Sequence, residues 1–169
     1  MNKQLGFYFD SERCVQCHAC EVACKSANNL DLGIKWRTVV NIWQGTYPET
    51  KNKTISFCCL HCVEPACVAA CPTGAIQKRE RDGVIVIDQD KCIGCHCCFL
   101  ACPFGIPQFG RDGKMQKCNL CVSRLDQGKE PACSATCSSE ALRFGDIREL
   151  ADKAFTRSAK KIASAVFYS

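Results

Sequence analysis

The stretch that decides the fold is Cys92-Ile93-Gly94-Cys95-His96-Cys97-Cys98-Phe99-Leu100-Ala101-Cys102-Pro103. The C-x2-C-x2-C-x3-C-P spacing that holds iron–sulfur cubanes is met here by Cys92, Cys95, Cys98 and Cys102. In such a run three thiolates wrap one cube. The fourth cysteine, followed by a helix-interrupting proline, turns toward a different cube. One run of this kind therefore predicts a second.

Three further groups of cysteines occur along the chain. The first repeats the gaps of two, two and three residues and consists of Cys14, Cys17, Cys20 and Cys24. The second has gaps of two, four and three and consists of Cys59, Cys62, Cys67 and Cys71, followed by Pro72. The fourth has gaps of two, eleven and three and consists of Cys118, Cys121, Cys133 and Cys137. Together with the third group quoted above, they predict ligands for four [4Fe–4S] clusters.

Cysteine is the outlier of the composition. The 169 residues include 18 cysteines, and without them the hydrophobic fraction of 47% falls to about 36%, below the ~45–50% usual in globular domains. Bound metal can stabilise such a chain, because its binding free energy becomes folding free energy. A disulfide framework and structural zinc are the alternatives. The first segment has no apolar stretch typical of a secretory signal, and zinc sites usually take two C-x2-C pairs.

The formal net charge of +5 counts every cysteine as neutral. Sixteen ligating thiolates and four cubane cores of charge 2+ contribute a net −8, which takes the assembled protein to about −3. Much of the positive charge is then a counterweight to the clusters. No basic patch interleaved with aromatic residues occurs, so nucleic-acid binding is not expected.

Between the cysteine groups the pattern is typical of an α+β protein. Strands are predicted at residues 5–10, 36–42 and 142–144, and a β-hairpin at 76–87 around Asp82-Gly83. Helices are predicted at residues 21–28 and from Ile147, and a helix or turn in the long gap 122–132. Residues 44–53 and the irregular chain after Pro103 are predicted as loops.

The tail has an amphipathic pattern and no apolar run of the ~18 residues that a membrane-spanning helix needs. One helical side carries Ile162, Ala163, Val166 and Phe167, and the cations mostly lie elsewhere, at Lys153, Arg157, Lys160 and Lys161. Such a helix either packs on its own domain or docks on a partner or a membrane surface.

With these four groups in this order over residues 5–150, the sequence closely resembles the iron–sulfur electron-transfer subunits of the dimethyl sulfoxide reductase family of molybdenum and tungsten enzymes. The resemblance is carried by residues 6–10, 62–67, 71–75 and 102–108. It implies two ferredoxin-like modules, one inserted in the other and held by four [4Fe–4S] clusters. The outer module takes residues 1–58 and 104–150, the inner module residues 59–103, and a C-terminal tail residues 151–169.

The resemblance also implies that the first group pairs with the fourth and the second with the third. The sequence supports this pairing, because the two groups that end in Cys-Pro are the inner pair and the two that do not are the outer pair. With exchange of the fourth ligand, the outer clusters take Cys14, Cys17, Cys20 and Cys137, and Cys118, Cys121, Cys133 and Cys24. The inner clusters take Cys59, Cys62, Cys67 and Cys102, and Cys92, Cys95, Cys98 and Cys71.

Two positions bear on how well the family pattern applies. Some relatives replace a third-group cysteine by Trp and hold a three-iron cluster, but Cys95 is present, so four cubanes are expected. Ser138-Ser139-Glu140 stands where a Pro-containing turn is common, which leaves the geometry after Cys137 open.

Five other residues in or beside the cluster loops could be mistaken for ligands. Cys58 and Cys97 are left over from the groups and are expected to be buried or neutral thiols. Ligation by His18, His61 and His96 is not needed when every site has four thiolates, so these side chains are expected to support the sites or to face solvent.

No catalytic nucleophile, general acid–base pair or nucleotide-binding loop is found in the sequence. We therefore expect a non-catalytic subunit that relays single electrons through four [4Fe–4S] clusters. The resemblance implies two partners: a large molybdenum- or tungsten-pterin catalytic subunit, and a membrane quinone subunit or flavoprotein. The expected location is the cytoplasm, either free or associated with the membrane. The alternative is export beside a partner that carries a twin-arginine signal. The alternative functions are a general polyferredoxin serving a hydrogenase or another redox complex, and a zinc-stabilised interaction module.

Overall fold

A computed structural model describes residues 3–167, without the side chains of residues 161 and 164–167. Its strands are β1 Leu5–Phe9, β2 Thr38–Gln44, β3 Lys51–Phe57, β4 Ile76–Lys78, β5 Ile85–Ile87, β6 Gln108–Phe109, β7 Met115–Gln116 and β8 Leu142–Asp146. Its helices are α1 Ala19–Ala27, α2 Ala66–Ala69, α3 Cys97–Ala101, α4 Val122–Leu125, α5 Ala132–Ala135 and α6 Ile147–Phe167. The α+β class predicted from the sequence is confirmed.

The strands form separate antiparallel pairs, namely β1 with β8, β2 with β3, β4 with β5, and β6 with β7. The first pair joins distant parts of the chain, with Phe7 opposite Phe144. A two-stranded sheet alone is marginally stable in water, so each pair depends on what packs against it.

The helices carry the same pairing of distant segments. Helix α1 of the first cysteine group packs against α5 of the fourth, and α2 of the second group packs against α3 of the third. The first group therefore lies beside the fourth, and the second beside the third.

The buried side chains form small clusters instead of one large apolar core, and three of the four clusters contain cysteine. They consist of Ile76, Ile85, Cys98 and Met115; of Leu5, Val84 and Leu120; of Cys24, Cys133 and Leu142; and of Cys58, Cys59 and Cys118. The interior is thus built around thiols.

Two loop predictions are wrong. Residues 44–53 are not a loop throughout, because β2 extends to Gln44 and β3 begins at Lys51. Lysine and asparagine favour strands only weakly, and it is cross-strand contacts that hold these residues extended, including a hydrogen bond of 2.9 Å from the Thr54 hydroxyl to the Asn41 side chain. After Pro103, β6 and β7 form a short hairpin around the predicted Asp112-Gly113 turn.

Helix α6 is much longer than the short helix predicted from Ile147. It packs against β1 and β8, Leu150 is buried, and Arg157 pairs with Asp10 and, at 3.0 Å, with Glu12. Its first part is therefore held on its own domain. The side chains of Lys161, Val166 and Phe167, on which part of the predicted amphipathic face depends, lie outside the described residues. None of the helices within residues 3–167 has the length and apolar character needed to span a membrane.

We predict that the iron-free chain has no cooperative unfolding transition. The buried clusters are too small, and too rich in thiols, to hold two-stranded sheets together without metal. The test compares anaerobic protein that retains its iron with iron-free protein. The iron-free sample is prepared by chelation in denaturant and refolding under reducing conditions. Both samples are measured by scanning calorimetry and near-ultraviolet circular dichroism. A cooperative transition in the iron-free sample contradicts the prediction.

Candidate cluster-binding sites

The four cysteine groups share a backbone bend. The residue before the second cysteine of each group has a left-handed conformation: Gln16 (φ 59°), His61 (φ 47°), Gly94 (φ 67°) and Leu120 (φ 55°). Residues other than glycine rarely adopt this conformation, so its recurrence in four loops, three of which have a non-glycine residue at this position, indicates a common requirement. Successive N–H groups around such bends form concavities that favour anions, including iron–sulfur sites.

Cys24 lies among the thiols of the fourth group. It is buried in α1 against Cys133 of α5. The Asn28 side-chain amide lies 3.9 Å from Cys24 Sγ and 3.7 Å from Cys121 Sγ. Burial raises the pKa of Cys24 to about 12, and the thiols of Cys118, Cys133 and Cys121 act in the same direction. The structure thus brings together all four members of one predicted outer set.

The other outer set is joined through Cys20 and Cys137. Burial raises the pKa of Cys20, and the nearby Cys137 thiol adds to this effect. Both residues pack against the cluster of Cys24, Cys133 and Leu142. The remaining members, Cys14 and Cys17, lie in the loop that precedes α1.

The first inner set shows the same crossing between groups. Burial raises the pKa of Cys67, and the thiols of Cys102, from the third group, and Cys62 act in the same direction. Burial also raises the pKa of Cys59, and Cys67 contributes to it. A cysteine of the third group therefore lies with three of the second.

The second inner set lines one small cavity. Its walls include Cys71 of the second group together with Cys92, Cys95 and Cys98 of the third. Ile76 and Met115 are among the apolar residues of the lining. All four predicted ligands of this set thus meet around one space.

The donor chemistry of these sites fits a cluster. Burial raises the pKa of Cys98 and Cys133 each to about 11, so without metal both are protonated at neutral pH. Several thiolates at such a site need cations between them. Among residues 3–167, no group of three or more His, Cys, Asp or Glu side chains is arranged for a single metal ion.

Backbone N–H groups point at three of the sulfur atoms. Each distance is 3.4 Å, from Met115 N to Cys92 Sγ, from Leu120 N to Cys118 Sγ and from Leu142 N to Cys137 Sγ. Hydrogen bonds of this kind are one of the means by which a protein sets a cluster's potential.

The turn after Cys137, left open by the sequence, matches the turn after Cys71. Cys71 Sγ lies 3.7 Å from the Thr73 hydroxyl, and Cys137 Sγ lies 3.7 Å from the Ser139 hydroxyl. Burial raises the pKa of each thiol, but the hydroxyl and nearby backbone N–H groups together lower it below the usual value. The third residue after each cysteine is left-handed, Gly74 at φ 64° and Glu140 at φ 52°. The missing proline therefore leaves this turn unchanged.

The three histidines contact protein groups. His61 is buried, accepts a hydrogen bond of 2.9 Å from Ile85 N, and is kept neutral because burial and Lys117 hold its pKa well below the usual value. His18 Nδ1 lies 2.8 Å from Glu21, and the ring of His96 stacks on Phe109.

The two extra cysteines differ in their surroundings. Cys58 is buried, and its Sγ lies 3.1 Å from Arg37 Nη2. Cys97 is half-buried at the start of α3, with its Sγ 3.9 Å from the Cys95 carbonyl.

Two buried cations next to the thiols were not found by sequence reasoning. Arg37 and Lys117 are each only 2% exposed. The Lys117 ammonium donates to the carbonyls of Ile85 at 2.6 Å and Cys118 at 3.1 Å. Lys117 directly precedes a ligand candidate and could have been noticed, whereas Arg37 is distant from every group in the sequence.

A family model described as a 4Fe-4S dicluster domain matches residues 50–147. A probable anaerobic dimethyl sulfoxide reductase chain, YnfG of Escherichia coli strain K12, is 42% identical over 162 residues, which cover 90% of this chain and 78% of that one. A formate dehydrogenase iron-sulfur subunit of Wolinella succinogenes is 39% identical over 166 residues, 85% of this chain and 82% of that one. A sulfite dehydrogenase subunit of Allochromatium vinosum is 37% identical over 168 residues, 86% and 70% respectively. The family match favours iron–sulfur clusters over structural zinc.

We predict that Cys24→Ser perturbs the same cluster as Cys118→Ser, and that Cys137→Ser perturbs the same cluster as Cys14→Ser. The reason is that Cys24 lies among the fourth-group thiols and Cys137 beside Cys20. EPR-monitored redox titration of the four variants, with the wild type as control, identifies the signal lost in each. If Cys24→Ser and Cys14→Ser lose the same signal, and Cys24→Ser keeps the signal that Cys118→Ser loses, the exchange of ligands is contradicted.

Proposed function

Since this chain belongs to the iron–sulfur electron-transfer subunits of the dimethyl sulfoxide reductase family of molybdenum oxidoreductases, we propose that it relays electrons one at a time through four [4Fe–4S] clusters. The observation that carries the proposal is the crossing of thiols between groups, above all Cys24 among Cys118, Cys121 and Cys133. When bound, each cluster supplies a site that accepts and releases one electron.

The proposed ligand sets follow the exchange of fourth ligands. They are Cys14, Cys17, Cys20 and Cys137; Cys118, Cys121, Cys133 and Cys24; Cys59, Cys62, Cys67 and Cys102; and Cys92, Cys95, Cys98 and Cys71. Support comes from the shared left-handed bends, the cavity lined by the last set, and the neighbouring thiols in the other three.

The proposed organisation is a ferredoxin-like inner module of residues 59–103 inserted in an outer module of residues 1–58 and 104–150. The β1–β8 ladder and the packing of α1 on α5 support the outer module. The β4–β5 hairpin and the packing of α2 on α3 support the inner one. Residues 151–169 form the tail.

The chain's own residues hold the clusters, exclude water from them and set their potentials. Burial of Cys24, Cys118 and Cys133 keeps solvent away from the outer site that these residues are proposed to form with Cys121. A chain of this length has a radius of gyration of roughly 15–16 Å. Four clusters inside it then lie on the order of 10 Å apart, a spacing suited to sequential electron tunnelling.

The proposed role is non-catalytic, so the chemistry belongs to a partner. The names of the relatives, dimethyl sulfoxide reductase, formate dehydrogenase and sulfite dehydrogenase, support a large molybdenum- or tungsten-pterin catalytic subunit as that partner. A membrane quinone subunit or a flavoprotein exchanges electrons at the other end. The complex works in the cytoplasm, either free or associated with the membrane, or is exported when the catalytic subunit carries a twin-arginine signal.

We predict about 16 iron and 16 sulfide per chain from four [4Fe–4S] clusters. Colorimetric iron and acid-labile sulfide assays on anaerobically purified protein, normalised by amino-acid analysis, measure both. About 12 iron or fewer in intact protein contradicts the count of four, and stoichiometric zinc without sulfide contradicts iron–sulfur binding altogether.

The partner is tested by mild anaerobic purification of the native complex from its own cells. We expect a co-purifying large chain that contains molybdenum or tungsten and a pterin. Its substrate is expected to exchange electrons with the clusters in stopped-flow absorbance, reoxidising reduced clusters if it is an oxidant and reducing oxidised clusters if it is a reductant. The Cys24→Ser variant, compared with the wild-type complex, is expected to slow this electron exchange. A complex that contains nickel–iron and no pterin instead supports the polyferredoxin alternative.

A further inference from the structure

Arg37 is a buried cation, with only 2% of the residue exposed. Its Nη1 donates to the Ser56 hydroxyl and its Nη2 to Cys58 Sγ, each at 3.1 Å. Its guanidinium lies 4.3 Å from the centre of the Phe7 ring. Within the part of the chain that the structure describes, no carboxylate forms an ion pair with it. Burying a cation is unfavourable unless an anion compensates it.

The sulfur atoms around Arg37 point to that anion, because Cys58, which Arg37 contacts, packs in one buried cluster with the proposed ligand Cys118. Burial lowers the pKa of the guanidinium, but the thiols of Cys58, Cys133 and Cys118 outweigh burial and raise it. Arg37 in turn lowers the pKa of Cys133, against the larger effect of burial. Two of these three residues, Cys118 and Cys133, belong to one proposed ligand set.

A [4Fe–4S] core of charge 2+ with four thiolates carries a net charge of −2, and one-electron reduction makes it −3. A fixed positive charge against its sulfur atoms stabilises the reduced form more than the oxidised form. The effect is large when the charge is buried, because neither water nor salt screens it well.

We propose that Arg37 is the counter-cation of the cluster that Cys24, Cys118, Cys121 and Cys133 hold, and that it raises the reduction potential of this cluster above that of an otherwise equal site. Arg37 acts on the cluster through its positive charge, and Ser56, Cys58 and Phe7 orient its guanidinium. The inference rests on the proposed ligand set for this cluster.

The test is EPR-monitored redox titration of the anaerobically purified full chain, as wild type, Arg37→Met and Arg37→Lys. The signal of the cluster in question is the one lost in Cys118→Ser. We expect Arg37→Met to lower the equilibrium constant for its reduction at least tenfold, which is 59 mV for one electron. Arg37→Lys keeps the charge and is expected to change the constant less than threefold, and the two inner clusters are expected to change less than threefold in both variants.

Two further variants separate the buried charge from other causes. Lys129→Gln removes a positive charge from the exposed loop between Cys121 and Cys133, and is expected to change the constant less than threefold because solvent screens it. Cys58→Ala leaves the guanidinium in place and is also expected to have less than a threefold effect. A tenfold rise of this equilibrium constant in Cys58→Ala overturns the proposal. It would show that in the wild type a Cys58 thiolate, and not the cluster, compensates the charge of Arg37.

Iron and sulfide content, measured on every variant, separates failure of this inference from failure of the ligand set. Full content with less than a threefold change in Arg37→Met overturns the role of Arg37 and leaves the four clusters standing. Different signals lost in Cys24→Ser and Cys118→Ser overturn the ligand set itself. Arg37→Met could fail to assemble this cluster. In that case, a cluster that assembles in Arg37→Lys supports the need for a positive charge. A cluster that fails to assemble in Arg37→Lys as well indicates a packing role for Arg37 and overturns the proposal.

Discussion

The structure depends on one constraint: several of its cysteine thiols are buried where a thiolate is stable only beside a cation. Cys24, Cys118 and Cys133 are nearly inaccessible, and burial keeps such thiols protonated at neutral pH in the absence of metal. Around them the apolar clusters are small and the sheets have two strands each. We therefore expect metal binding and folding to be one process in this chain.

The same constraint explains the pairing of distant segments. A cysteine one helical turn beyond a loop that wraps one cluster is carried away from that loop, and it meets another group if two helices pack side by side. The packing of α1 on α5 and of α2 on α3 does this twice, and the β1–β8 ladder joins the ends of the outer pair. Buried cations, Arg37 and Lys117, then lie where the clusters' negative charge is proposed to accumulate.

The sequence was most informative where local spacing decides structure. The gaps between cysteines predicted four loops, and the alternation around Asp82-Gly83 predicted the β4–β5 hairpin. It was least informative where contacts between distant residues decide: β3 is held extended by pairing with β2, and the burial of Arg37 depends on Phe7, Ser56 and Cys58 arriving from other elements. The turn after Cys137 is an intermediate case. The Ser139 hydroxyl lies beside the Cys137 sulfur as the Thr73 hydroxyl lies beside that of Cys71, although no proline follows Cys137.

The central claim is that each cluster takes three cysteines from one group and its fourth from the paired group. The most direct measurement is an anaerobic crystal structure with anomalous scattering at the iron absorption edge. The account predicts four iron clusters, with Cys24 bound to the cluster of Cys118, Cys121 and Cys133, and Cys71 bound to the cluster of the third group. A cluster held by all four cysteines of a single group, or fewer than four iron clusters in fully loaded protein, would contradict it.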